Sequence, residues 1–371
     1  MSDSAFIAAR APFSVEDQLT LPRRPSRERS AESGKPKRGP SRFATIDPVN
    51  VKITGPGSGD PERIAELTPQ ASENVTGQHV VSKVLLREWA AAVQHTTVEH
   101  VQPYDLQHPE RRLSTRSPRG IGKIENFVPW ASTSLEIKWG LVERELPNAL
   151  AAVKAGTALG EPGTAGILRD LIALHCIRSH HYREAFNRVR TEFLPRQREW
   201  LLTERAGHLE AAYLQRTGRP AAGPEDLAAI ADEIFSPMLD QFHDGSLLRV
   251  RIEASFDQTR QLMARYALEI LEPEEGEFLI GDNPALTVCK EGDSLSHGMA
   301  LLDSHTTVLP IGPHHILSLG PTPLYGRLAK SAVDKMNVLQ IKAAREYVYT
   351  RPNSSLAATV REEATSRSPR L

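Results

Sequence analysis

The feature that most constrains this chain is a change of hydrophobic period at Pro273. Before it, apolar residues return every three or four positions, as in Leu135, Trp139, Val142 and Leu146, which is the spacing of helices buried along one face. After it, Phe278–Ile280, Thr306–Leu309 and Ile316–Leu319 are short apolar runs closed by Gly, Pro or Asp, the punctuation of strands. Helices first and strands later predict an α+β fold, not an alternating α/β one. The specific expectation is a predominantly helical single domain with a small mixed or antiparallel sheet in its C-terminal half.

The boundaries follow from the same pattern. Leu21–Arg42 is rich in Pro, Ser, Gly and charge, with eight Lys or Arg against two Glu. So little apolar surface cannot offset the entropy of ordering such a segment. Residues 1–75 are therefore read as a disordered basic arm and linker, 76–350 as the domain and 351–371 as a polar tail. His79–Val93 has helical periodicity. A helix opens near Ser132, with Pro147 expected to kink it or begin a new segment, and another runs from Thr164 until Pro195 interrupts it. Helices are also expected over Arg196–Gln215, Pro224–Phe242 and Ser331–Arg345. Val348 and Tyr349 suit a last strand.

Net charge is -1, so no global charge imbalance points to nucleic acid, and only a local patch could. Two cysteines, Cys176 and Cys289, are too few for a disulfide framework or a cysteine zinc site and read as packed thiols. No apolar run is long enough to span a bilayer and the start has no signal-peptide pattern, so the expectation is a cytoplasmic protein without membrane contact. HExxH, GxSxG and Walker spacings do not occur, and no cofactor is named by a motif.

Five segments in order resemble an uncharacterised microbial group, domain-of-unknown-function family 4238. QHVVSKVLLREWA is similar to its HHYVPxxYLRxF opening, and LIALHCIRSHHYREAF to its AxQxxRTPxxR helix. FLIGDNPALTV resembles its FxTSDNPV turn, TVLPIGPHHILSLGP its PLSP segment, and VDKMNVLQIKAAREYVYT its closing NxLQxxxAxRYVF helix. The resemblance runs from about Gln78 to Thr350, with Gln78, Ser82, His175 and His180 departing from the pattern. It implies one domain and no established activity.

The polar residues at the matching positions are His79, Arg87, Glu143, Arg178, Asp282, Asn283 and Asn337. A histidine exchanges protons near neutral pH, a carboxylate can orient it, and arginines bind anions through paired hydrogen bonds. His79, Glu143, Arg178 and Asp282 are the candidate catalytic set for a phosphodiester. Glu143 or Asp282 would orient His79 or ligate a metal. Arg87, Asn283 and Asn337 are the candidate binding residues, and nucleic acid or a nucleotide the partner. The same residues equally describe a non-catalytic anion- or nucleotide-binding module, or polar groups that organise an interaction protein: Asp282-Asn283-Pro284 suits a tight turn, and Arg178 could simply pair with Glu143. A metal site drawing one histidine each from His180/His181 and His314/His315 with Asp282 is a further option.

Overall fold

The helices and strands that hold the candidate residues were located in a computed structural model. It describes residues 77–93, 98–125, 127–128, 133–291, 294–297 and 304–367, all within one compact unit, Gly59–Leu371. The basic arm lies outside the described residues.

The strands are β1 (Gly77–His79), β2 (Ala91–Ala92), β3 (Glu99–His100), β4 (Gln102–Asp105), β5 (Lys123–Glu125), β6 (Ala267–Pro273), β7 (Ile280–Gly281), β8 (Leu286–Glu291), β9 (Ser294–His297), β10 (Thr306–Gly312), β11 (His315–Gly320), β12 (Leu324–Leu328) and β13 (Tyr347–Thr350). The helices are α1 (Lys83–Glu88), α2 (Thr133–Lys154), α3 (Pro162–Ile177), α4 (His180–Arg188), α5 (Leu194–Glu204), α6 (Ala206–Thr217), α7 (Pro224–His243), α8 (Ser246–Met263), α9 (Lys330–Ala343) and α10 (Ala357–Ser366).

The fold is α+β. A six-stranded sheet, ordered β12-β6-β11-β10-β8-β9, is built wholly from the C-terminal half. It is mixed, because β12 runs parallel to β6 while the other neighbours are antiparallel. Strands β10 and β11 are buried along nearly their whole length, which is why they read as continuous apolar runs without alternation. Helix α3 packs against α2, α8, β6 and β10, and joins Leu171 and Leu174 to Trp139, Leu146, Ile252, Phe256, Ile270 and Leu309 in the main core. A separate three-stranded sheet, β4-β13-β7, and the β1-β5 ladder complete the face where the candidate residues lie.

Four expectations are corrected. The first helix is shorter than its periodicity: the Ser82 hydroxyl accepts from Val84 N at 3.3 Å and starts α1 there. Ahead of it, Val80 N donates to Gly122 O at 2.8 Å and holds the chain extended. Pro147 does not begin a new segment: α2 runs through it to Lys154, and the proline withdraws the hydrogen bond that the Glu143 carbonyl would otherwise accept. The helix expected from Thr164 to Pro195 breaks at Arg178-Ser179, where Ser179 Oγ donates to Cys176 O at 2.7 Å and accepts from Tyr182 N at 3.1 Å. The segment after Arg351, read as a polar tail, forms α10, because Leu356, Val360 and Ala364 turn one face onto Ile341, Ala344 and Val348.

Candidate functional site

The break in the helix after Ile177 is what builds the site. At Arg178 the backbone leaves helical geometry (φ -84°, ψ 54°), and its buried side chain turns to α2. There Arg178 Nη2 donates to Glu143 Oε1 at 2.6 Å, and the guanidinium lies 5.2 Å from the centre of the Trp139 ring. Trp139 and Glu143 are four residues apart on α2, so one helical face presents both to the arginine. Burial raises the Glu143 carboxyl, but Arg178, His175 and a hydrogen bond from Ser82 outweigh it and hold it below the usual range.

His79 enters from the end of β1, half-buried. The β1-β5 register sets Lys123 opposite it. Burial first, then the charges of Lys123, Arg178 and Lys83, depress its basicity to about 4, with Glu143 opposing. His79 is therefore neutral at pH 7. Lys83 opens α1, Arg87 stands one turn further on, and Arg119 comes from the 3-10 turn Pro118–Gly120. Desolvation first, then repulsion from Arg119, Arg87 and Lys123, lowers the Lys83 ammonium. The turn between the 3-10 segment and β5 needs Gly122: its φ is +68°, and a Cβ there would meet Leu86 Cδ1 at 2.9 Å.

Arg178 and Glu143 are thus brought together, with His79 coupled to both through their charges and Arg87 at the cationic edge. Asp282 is occupied elsewhere. Its Oδ1 accepts from Arg345 N at 2.6 Å, and its Oδ2 from Glu346 N at 2.7 Å and Tyr347 N at 3.0 Å. Burial pushes this carboxyl up, against the three N–H donors that favour its charge. Asn283 donates to Ala343 O at 3.1 Å and accepts from His181 N at 3.4 Å. Asn337 accepts from Leu279 N at 3.0 Å and donates to Glu277 O at 2.9 Å, so its amide pairs with backbone as a strand would. Gln340 repeats the pattern one turn later on Gly281 N and Pro284 O. Glu143 orients Arg178, and among the described residues no carboxylate hydrogen-bonds His79.

Three members of the site were not singled out from sequence. His175 is wholly buried, with Nδ1 3.2 Å from Val80 O, and burial and Arg178 depress its basicity to about 3. Trp139 and Lys123 are the others. The first two were detectable in principle, since His175 is three residues before Arg178 and Trp139 four before Glu143, the spacings that share a helix face. Among the described residues, His79 Nε2, His175 Nε2, Arg178 Nε and Trp139 Nε1 are buried without a hydrogen-bond partner.

Other candidates stand apart. Cys289 Sγ lies 3.2 Å from His305 Nδ1 near one edge of the large sheet, whereas Cys176 is a half-buried thiol that desolvation pushes up to about 12. Among the described residues no three His, Cys, Asp or Glu side chains are grouped to hold a metal ion. No helix among them is long and apolar enough to cross a membrane.

The model of the family described as "Protein of unknown function (DUF4238)" matches residues 77–354. No curated protein and no solved structure matches the chain.

Proposed function

This chain belongs to the DUF4238 family, and from that premise we propose that its domain binds a phosphate-bearing ligand, a nucleotide or nucleic acid, at the His79–Glu143–Arg178 site and acts on it. One observation carries the reading. Four buried side-chain nitrogens without partners belong to a group of residues edged by Lys83, Arg87, Arg119 and Lys123. Buried polar groups are nearly always satisfied, so a cluster of exceptions is where a missing partner belongs. Among the described residues, the charges coupled to His79 and Lys83 are five cations and Glu143, and that partner would be an anion.

Geometry and charge support these roles. Glu143 and Trp139 fix the guanidinium plane of Arg178, whose buried, unpartnered Nε–H would reach an anionic oxygen once the side chains around it part. The exposed cations draw the ligand in, and His79, neutral at pH 7, can accept a proton from an attacking hydroxyl or water. A phosphate beside it would offset Lys123 and Arg178 and bring its basicity back toward neutrality. A non-catalytic binding module is the second reading, favoured because no carboxylate among the described residues hydrogen-bonds His79.

Turnover of nucleotides and short oligonucleotides, with and without divalent metal, separates the two. The enzyme reading expects product from the wild type and at least a hundredfold less from His79→Ala, in the range of a lost general base (roughly 10²–10⁴). Equal rates in both would remove His79 from the chemistry. Binding without turnover, weakened about tenfold or more by Arg178→Met, would establish the module.

A further inference from the structure

The cationic edge extends well beyond the site. Residues 111–123, between β4 and β5, carry Arg111, Arg112, Arg116, Arg119 and Lys123 and no Asp or Glu, in a chain of net charge -1. All five are exposed. Glu110 and Glu125 bound the run. Among the described residues no carboxylate forms an ion pair with any of the five; Glu88 on α1 pairs with Lys154 at 2.6 Å, and Glu143 on α2 with Arg178.

The backbone that carries these cations is pinned along its length. Gln102 Nε2 donates to Leu113 O at 3.0 Å, Arg116 N to Val101 O at 2.9 Å, and Val80 N to Gly122 O at 2.8 Å. Successive cations are one, four, three and four residues apart, so even a fully extended chain leaves no gap above roughly 14 Å. At the far end α1 packs against the 3-10 turn and adds Lys83 and Arg87, and Arg119, Arg87 and Lys123 all act on the Lys83 charge. The seven cations therefore follow one another over a continuous stretch of chain and the helix packed on its end. A single small anion reaches only part of such a stretch. A ligand whose charge repeats along its length meets most of it and releases counterions at each contact.

We infer that residues 111–123, with Lys83 and Arg87, form a surface track for the phosphate backbone of a nucleic-acid strand, so that the ligand of this domain is a strand and not a free nucleotide. The choice of phosphate over carboxylate rests on the anion-site reading above. The track itself uses surface cations and none of the buried nitrogens.

The test is fluorescence anisotropy of the full chain with a labelled single strand of about twelve thymidines, a length suited to such grooves, and with a labelled mononucleotide. The strand should bind at least tenfold more tightly. If it meets all seven cations, its affinity falls with salt at a log–log slope near about -5, from roughly 0.7 per phosphate neutralised. Replacing three arginines together, Arg111→Gln, Arg112→Gln and Arg116→Gln, should flatten that slope by about 2. It should weaken the strand at least tenfold and leave nucleotide affinity within about twofold. Removing the same charge from exposed positions on α4, α5 and α10, with Arg188→Gln, Arg196→Gln and Arg361→Gln, should leave the slope unchanged. A strand bound no more tightly than the nucleotide, or one indifferent to the loop substitutions, would overturn the track and leave the anion site standing. Polyglutamate of equal length bound as tightly as the strand would overturn the assignment to nucleic acid. Loop-dependent strand binding without nucleotide binding would uphold the track and remove the anion site, and binding of neither would overturn both.

Discussion

Asp282→Ala is the sharpest test of how this domain divides its polar residues between architecture and chemistry. The Asp282 carboxylate is buried and accepts from three consecutive backbone N–H groups, Arg345, Glu346 and Tyr347, at 2.6, 2.7 and 3.0 Å. It fixes the turn that leads α9 into β13. A hydrogen bond to a charged group contributes about 1.5–3 kcal/mol net, so three give at least ~4.5 kcal/mol. For the charged carboxyl itself burial outweighs these donors; what Ala loses is the partner of three backbone N–H groups, and leaving them unsatisfied costs about 1–3 kcal/mol each, about 3–4 kcal/mol together. Against a total stability of about 5–15 kcal/mol that is a large share. It corresponds to a fall in Tm of roughly 6–16 °C for a domain of this size. Asp282→Asn keeps one acceptor oxygen but sets an amide N–H against a backbone N–H, so it should fall between the wild type and Ala. Urea and thermal unfolding measure the loss, and phosphate titration of the folded protein should show affinity within about twofold of wild type. An unchanged Tm together with lost ligand binding would refute the reasoning and return Asp282 to the site.

Arg178→Met should destabilise by about 2 kcal/mol, below the 3–5 kcal/mol typical of a fully buried broken pair because Glu143 keeps 27% of its side-chain surface exposed. Adding Glu143→Gln should restore part of that loss in a double-mutant cycle, and simple additivity would mean that the two side chains are not coupled. Gly281→Ala places a Cβ 3.0 Å from Ala344 Cβ and 3.2 Å from Gln340 O, tight contacts with α9 and the residue after it; a loss of about 1–2 kcal/mol in urea unfolding is expected, and none would mean the segment shifts freely. Burial leads the causes that depress His79, His175 and His180 to about 4, 3 and 4, from 6.5 in an unfolded chain. Between those values the unfolded chain binds more protons, so stability is complete above about pH 6.5 and falls as pH drops toward 3. Tm measured from pH 7 to 4 should decline, less steeply in His175→Gln, and a Tm rising on acidification would contradict these protonation states.

Much of the fold was legible from Trp89, Trp139, Leu171, Leu309 and Leu317, because apolar period reports directly which face an element buries. Where that reading failed, local hydrogen bonding overrode periodicity. Ser82 and Ser179 impose caps inside stretches whose apolar spacing continues without a break, and Pro147 is carried within a helix. The ordered motifs marked His79 and Arg178, and Arg178 meets Glu143, which lies between the first two motifs. The same motifs also marked Asp282, Asn283 and Asn337, which hold backbone. A residue pattern cannot separate these cases, since a polar group bonded to a buried N–H is under the same physical constraint as one bonded to a ligand.

By itself, then, the sequence determined the order of helices and strands, the position of the apolar core and the set of polar residues that had to be explained. Tertiary structure alone decided which of them share a place. Arg178 meets Glu143 only because the chain turns at Ser179. Lys123 faces His79 only through the β1-β5 register, and the proton on His175 is placed only by the Val80 carbonyl, 95 residues away. Those relations depend on contacts between segments far apart in the chain, and local period and propensity carry no information about them.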